Sequence, residues 1–229
     1  MKRNDQLQEN KRRSFLKQVA TGAAVLGAGM ISAPLHLSAA GIPSIESDAD
    51  EWFKKVKGKH RMIFDVPAPH EIFPFAWPRI FMATNGATGT PESDCGVVVV
   101  LRHGAIPYAM GNDLWAKYKF GEMFKINDPE TKAPATRNPF WQSKPVTIPG
   151  IGSVPIAIND LQTSGVMFCA CDMAITVNSA VVAMGLKQDP AEIKKEWLAG
   201  LLPGVQPVPS GVWAVGRAQE HGCSYCFVG

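Results

Sequence analysis

Two cysteines end one short apolar run, and this run is where the sequence first offers reactive chemistry. The segment from Gly165 to Cys171, Gly-Val-Met-Phe-Cys-Ala-Cys, is typical of a buried strand. A helix that begins near Asp172 would place the Cys171 thiol beside the unpaired N–H groups of its first turn, and this position favours the thiolate. The Asp172 carboxylate would oppose the effect if it lay close to the sulfur. Cys171 is therefore a candidate nucleophile or sulfur carrier, and the alternative is a small buried hydrophobic residue.

The other cysteines offer weaker patterns. Cys169 lies two residues before Cys171, so both side chains are predicted on one face of the strand, as a redox or metal-binding pair or as simple core packing. Cys223-Ser-Tyr-Cys226 has the CxxC spacing of metal and redox sites, but it enters a terminal strand instead of opening a helix. Because Cys171 ends one parallel strand and Cys223 precedes another, the two groups are expected at opposite edges of the sheet. We therefore predict no metal site.

Arg102 and His103 follow a second apolar run, over residues 96–101. Ligands of open α/β sheets bind beyond the carboxyl ends of the strands, so this pair, with Gly104, could bind sulfite, thiosulfate or a carboxylate. The alternative for His103 is a hydrogen bond to loop carbonyls. The chain has no glycine-rich dinucleotide motif, no phosphate-binding loop and no G-x-S-x-G elbow, so neither a cofactor nor serine-hydrolase chemistry is predicted.

These candidates are positioned by alternating elements. Alternation of strands with helices predicts βαβ units, and hence an α/β fold with a parallel sheet in a single domain. Pro78 is predicted in the first turn of its helix, and Ser210 and Gly222 at the start and stop of the last one. Strands are predicted at 61–66, 96–101, 165–171, 205–208 and 225–228, and helices at 78–84, 112–118, 155–162, 173–184, 190–198 and 210–222.

Composition excludes several classes of protein. The chain has 229 residues, of which 46% are hydrophobic and 19% charged, so it is not a disordered, collagen-like or multi-span membrane protein. Its five cysteines are too few for a disulfide scaffold, and their odd number leaves at least one thiol without an internal partner. Six of the 23 Lys and Arg residues lie in the first 40 positions, which leaves 17 against 18 Asp and Glu in the remainder. No nucleic-acid surface is therefore expected.

The N-terminal segment is typical of an export signal. Arg12-Arg13 followed by Phe15-Leu-Lys resembles the twin-arginine motif, although Lys11 stands where Ser or Thr is usual. An apolar stretch over 19–31 and the small residues ending at Ala40 complete a cleavable signal peptide over 1–40. The alternative, a membrane anchor, would need a longer and more apolar stretch. We predict a periplasmic or otherwise exported protein, with the twin-arginine translocase as its partner during export.

Two further segments complete the predicted organisation of the chain. Residues 41–60 are expected to form a short helix or an ordered N-terminal arm ahead of a domain over 61–229. Residues 121–153 hold five of the 18 prolines. A stretch of this length with little periodicity is typical of a functional loop or of an insertion that makes oligomer contacts.

Five segments together resemble the DsrE-like (DsrE/DsrF/DsrH-like) family. Val97-Val-Val-Val-Leu-Arg-His-Gly104 is similar to that family's second strand, which ends in His-Gly, and the run ending at Cys171 is similar to its third strand. The segments Val208-Pro-Ser-Gly211, Ala218-Gln-Glu-His-Gly222 and Ser224-Tyr-Cys-Phe-Val228 are similar to its closing helix and strand. The resemblance spans roughly residues 61–229.

The resemblance implies a three-layer α/β/α sandwich with a five-stranded parallel sheet, often built into trimers or hexamers. In the sulfur-relay members of the family, the cysteine at the end of the third strand carries a persulfide between partner proteins, and Cys171 matches that position. The leading hypothesis is therefore a sulfur carrier with a reagent-accessible Cys171, in which Arg102 and His103 stabilise anionic sulfur. We expect a carrier or binding protein, or, if it is an enzyme, a sulfurtransferase with a donor or acceptor protein as partner.

Two alternatives stay open. The chain could be a non-catalytic module that binds a small molecule or assembles with itself, with structural cysteines. It could also be a thiol-disulfide protein that uses Cys169 and Cys171.

Overall fold

The structure, a computed structural model, describes residues 43–229. The predicted signal peptide over 1–40 lies outside the described residues. None of the helices within 43–229 is both long and apolar enough to cross a membrane. The elements in chain order are α1 (Pro43–Phe53), β1 (His60–Val66), α2 (Phe73–Ala87), β2 (Cys95–Leu101), α3 (Asn112–Tyr118), α4 (Phe120–Met123), β3 (Val146–Ile148), β4 (Gly152–Val154), α5 (Ile158–Thr163), β5 (Met167–Cys171), α6 (Asp172–Leu186), α7 (Pro190–Ala199), β6 (Val205–Val208), α8 (Gly211–Glu220) and β7 (Ser224–Phe227), with 3-10 helices at Glu92–Asp94 and His103–Ala109.

Five strands form one sheet in the order β6-β5-β2-β1-β7, and every neighbouring pair is parallel. The central strand, β2, is buried along its whole length. Its continuous valine run suits a strand that is covered on both faces. The predicted α/β fold with a five-stranded parallel sheet is confirmed.

Two groups of buried side chains cover the opposite faces of this sheet. Val97 and Val99 pack in a first cluster with side chains of α2, α6 and α7, and Val98 and Val100 pack in a second cluster with side chains of α1 and α8. The alternation follows from the two-residue period of a strand. Helices on both faces make the molecule the expected three-layer α/β/α sandwich.

Helix α2 begins earlier than the sequence predicts. Pro74 occupies its first turn, so the helix starts at Phe73, and Pro78 lies inside it instead of in its first turn. An internal proline removes one helical hydrogen bond. Burial of Phe75 and Met82 against the sheet offsets that loss.

The short helix expected within residues 41–60 is present as α1, and the segment predicted as a long loop also carries local structure. Helix α1 ends in Trp52 and Phe53, which are 8% and 0% exposed and belong to the second cluster. The long segment after α3 contains α4 and an antiparallel hairpin of β3 and β4, and is otherwise irregular.

Candidate functional site

Cys171 joins β5 to α6, as the sequence predicts. It is the last residue of the strand and the N-cap of the helix, and its Sγ accepts a hydrogen bond from the Ala174 N–H at 3.3 Å. The first turn of this 15-residue helix therefore presents a backbone N–H to the sulfur. The side chain is 6% exposed.

The Asp172 carboxylate next to this cysteine is paired with a lysine of α7. Lys194 Nζ lies 2.8 Å from Asp172 Oδ2, and the two side chains are 30% and 15% exposed. The other oxygen, Oδ1, is buried and has no hydrogen-bond partner among the described residues. The Lys194 cation therefore offsets the negative charge of Asp172, which was expected to oppose a thiolate at Cys171.

Arg102 lies at the carboxyl end of β2 and binds a carboxylate of β1. Its Nε and Nη2 donate to the two oxygens of Asp65, at 2.6 and 2.9 Å, in a bidentate ion pair. Asp65 is 3% exposed, and the Tyr225 hydroxyl of β7 also donates to it, at 2.8 Å. The hydrogen bond that Arg102 donates to Asp65 is the largest cause that raises the pKa of Arg102, and burial opposes that rise. Leu101 pairs with Ala170 in the sheet, so Arg102 and Cys171 are the next residues along two adjacent strands.

Helix α8 closes over this ion pair. Its N-cap, Ser210, accepts the Trp213 N–H through Oγ at 3.2 Å, so a second helix begins at the same edge of the sheet. A Cβ atom added to Gly211 would stand 2.5 Å from Cδ and 2.6 Å from Cβ of Arg102. Only glycine therefore allows the backbone to approach the arginine so closely.

His103 takes no part in this network. Its side chain is exposed, its φ of 46° lies in the left-handed region, and it makes no hydrogen bond to any of the residues that the structure describes. It begins the 3-10 helix that leads away from β2. The structure therefore brings Arg102 to the vicinity of Cys171 and leaves His103 in solvent.

All five cysteines are free thiols. Cys169 is fully buried in the second cluster, whereas Cys171 belongs to the first, so the two thiols do not share one packing environment. Burial is the largest cause that raises the pKa of Cys169, with smaller contributions from Cys171 and Asp65. This disfavours the Cys169 thiolate.

The order of exposure among the cysteines differs from the prediction. The sequence predicts an accessible Cys171, but Cys226 of β7 is the most exposed of the five cysteines. Cys223 packs in the second cluster and Cys226 against the first. Burial raises the pKa of both thiols. Within 43–229, no group of three or more His, Cys, Asp or Glu side chains is placed to hold a metal ion.

The sequence patterns did not indicate that Asp65 and Tyr225 belong to this site. Asp65 could have been noticed because it is a charged residue within an apolar strand, and a buried carboxylate needs a cationic or hydrogen-bonding partner. Nothing in the sequence pairs Tyr225 with it, because the two residues are 160 positions apart.

Compared with known proteins, the chain matches no protein-family model and no curated protein.

Proposed function

We propose that this protein carries sulfur as a persulfide on Cys171. The observation that carries the proposal is the position of this thiol, which caps the first turn of α6 and accepts the Ala174 N–H. Unpaired N–H groups at a helix N-terminus are suited to a thiolate before sulfur transfer and to a persulfide anion after it. The resemblance to sulfur-relay proteins supports the same cysteine.

The transfer needs no cofactor. The Cys171 thiolate attacks the outer sulfur of a low-molecular persulfide, R–S–SH, and forms the new S–S bond. The old S–S bond breaks, R–S⁻ leaves with its electron pair, and the transferred sulfur arrives with its proton. The Cys171 persulfide then releases this proton to solvent and becomes the anion. Delivery to an acceptor thiolate is the same exchange, with Cys171 as the leaving group. The low exposure of Cys171 favours a small sulfane donor over direct attack on a protein persulfide.

Charges near the thiol have distinct roles in this proposal. Lys194 neutralises Asp172, so that the carboxylate does not repel the persulfide anion on Cys171. Arg102 provides positive charge at the same sheet edge, and Asp65 and Tyr225 hold its guanidinium in place. Arg102 Nη1 forms no hydrogen bond with any described residue and is the donor that remains for anionic sulfur. His103 has no assigned part in this mechanism.

Intact mass spectrometry tests the proposal. The purified protein is incubated with polysulfide, freed from excess reagent and weighed beside Cys171→Ser. We expect the wild-type protein to gain the mass of bound sulfur and the variant to gain none. Cys226→Ser is the matched control, because it removes the most exposed thiol and should leave the gain unchanged. A Cys171→Ser protein that gains as much sulfur as the wild type would overturn the proposal.

A second candidate function, self-assembly, is favoured by the outer face of α6. Met173, Val177, Val181 and Met184 form a stripe at helical spacing with exposures of 39%, 56%, 51% and 65%. No charged residue interrupts the helix between Asp172 and its end. A long uncharged aliphatic face is suited to a second copy of itself, and we propose that this α6 stripe is where copies of the chain meet.

Substitution of the α6 stripe tests this candidate. Val177→Lys combined with Val181→Lys would place two charges in the interface. We therefore expect the wild-type protein to be oligomeric and the double variant to be monomeric. Ile151→Lys is the control, since Ile151 is 64% exposed in the turn between β3 and β4. Sedimentation velocity gives the masses. A monomeric wild-type protein, or an unchanged mass in the double variant, would exclude assembly through the α6 stripe.

A further inference from the structure

The strand β7 leaves one edge of the sheet open. It stands at the end of the order β6-β5-β2-β1-β7, so β1 is its one neighbour among the strands within 43–229. Three of its four residues are exposed, and Cys226 is half-buried. The rings of Tyr225 and Phe227 are 45% and 55% exposed. Both the backbone and the side chains of this strand are therefore accessible.

The backbone groups of β7 face two sides in turn. Val228, the next residue after the strand, donates its N–H to the Asp65 carbonyl of β1 at 2.9 Å. Cys226 lies two residues earlier and faces the same side, because the backbone groups of successive strand residues alternate. The N–H and C=O groups of Tyr225 and Phe227 therefore point to the open edge. Such a row of backbone donors and acceptors is a template for another strand.

The opposite edge of the sheet is protected, and β7 is not. β6 contains Pro207, which has no N–H to donate, and the Pro207 carbonyl accepts Gln206 Nε2 at 3.0 Å. Helix α1 also packs beside β6. Proline, charged side chains and covering elements are the means by which proteins prevent the pairing of edges. β7 contains neither proline nor a charged residue. With one open edge per chain, pairing joins two copies and does not grow into a fibre.

The sequence of β7 complements a second, antiparallel copy of itself. Pairing centred on Cys226 sets Tyr225 of each copy opposite Phe227 of the other, and the outward backbone groups of both residues are then hydrogen bonded. A register centred on Tyr225 would instead set Phe227 opposite Cys223, whose N–H already binds the Ala218 carbonyl at 3.0 Å. Aromatic cross-strand pairs stabilise a sheet, and an uncharged strand brings no like charges together.

We infer that two copies of the protein pair through β7, about a two-fold axis at Cys226, and form one continuous sheet. Strands of four residues bury less surface than a stable dimer needs. The pairing therefore forms between copies that the α6 stripe already holds together, and the inference rests on that proposed self-assembly. Since Tyr225 donates to Asp65, the second copy also places an aromatic ring beside the Arg102 network.

Sedimentation velocity of the full chain tests the inference. Phe227→Lys places a charge opposite Tyr225 in both copies, and only the α6 contact then remains. We expect the wild-type assembly to have about twice the mass of the variant assembly. Ile151→Lys is the control, because Ile151 is similarly exposed but lies outside β7. Equal masses would overturn the inference, and if both exceed a monomer they leave assembly through α6 intact. A monomeric wild-type protein would overturn both.

Oxidation with diamide tests the register. Residues opposed in a non-hydrogen-bonded antiparallel pair have Cα atoms about 4.5 Å apart, a separation that a disulfide spans. Diamide takes up two electrons and two protons as two Cys226 thiols, one from each copy, form the disulfide. We expect linked pairs of wild-type chains on a non-reducing gel, none for Cys226→Ser, and about tenfold slower linkage for Phe227→Lys. Linkage that persists in Cys226→Ser, or is equally fast in Phe227→Lys, would overturn the inference.

Discussion

Cys171 and Cys226 differ in exposure to solvent and in the hydrogen-bonding group that lies near each sulfur. Cys226 is the more exposed thiol, but burial raises its pKa and the 3.8 Å contact of its Sγ is with a carbonyl oxygen, that of Phe227. Cys171 is less exposed, but its sulfur faces the N–H of Ala174. A carbonyl favours a thiol and an N–H favours a thiolate. Reactivity toward sulfur is therefore expected to follow the hydrogen bond.

Substitution of either member of the Lys194–Asp172 ion pair is predicted to change the alkylation rate of Cys171, in opposite directions. Lys194→Met leaves the Asp172 carboxylate unpaired near the sulfur, so alkylation of Cys171 by iodoacetamide should slow by about two- to fivefold, the range of a partly exposed ion pair. Asp172→Asn removes the opposing charge and should speed it. The rates are measured at neutral pH by following the modified peptide. Equal rates in the two variants would show that this pair does not act on Cys171.

The sequence was informative at this scale for Cys171 but not for its partners. A cysteine between an apolar run and a predicted helix predicts both the strand end and the helix cap, because each signal is local. The Arg102–Asp65–Tyr225 network joins three strands, and no local pattern contains it. The expected role of His103 illustrates the same limit, since the turn at its positive φ directs the chain away from the site.

Among the elements, the loop over residues 124–135 offers a prediction on pH. Asp128 Oδ1 accepts two N–H groups, from Glu130 at 2.9 Å and Thr131 at 3.0 Å. The hydrogen bond from Thr131 is the main cause that lowers the pKa of Asp128. A carboxylate with a depressed pKa stabilises the fold above its ordinary range, and the stabilisation is lost as the pH falls through the lower folded value.

The measurement for this loop is an NMR titration of the Thr131 amide. We expect its shift to change with a midpoint below the ordinary aspartate value, and Asp128→Asn to abolish the change. Asp128→Asn should also lower the melting temperature at pH 7 and have little effect in strong acid. A midpoint at or above the ordinary aspartate value would contradict the assignment.

Element boundaries were predicted best where a local signal marks them. Ser210 caps α8 through its own side chain, and β6 was predicted at the same residues that form it. The start of α2 was wrong because two prolines could each open a helix, and only packing of Phe75 in the core selects the earlier one. The hairpin of β3 and β4 was missed because strands of three residues are too short to show a period.

For the whole molecule, alternation of elements was sufficient to predict a parallel sheet. Strands joined through helices must run in the same direction, so this property follows from the order of elements along the chain. The order of the strands in the sheet does not follow from it. That order places the carboxyl end of β1 next to the ends of β2 and β7, and it thereby creates the Asp65 site.

Peptide mapping of the added sulfur is the most direct test of the central proposal. After exposure of the wild-type protein to polysulfide, persulfides are alkylated and the protein is cut with trypsin, which places Cys95, the Cys169–Cys171 pair and the Cys223–Cys226 pair on separate peptides. We expect the alkylated persulfide on Cys171, and fragmentation separates this position from Cys169. Sulfur found chiefly on Cys226 would overturn the proposal, because exposure and not the N-terminus of α6 would then decide where sulfur binds.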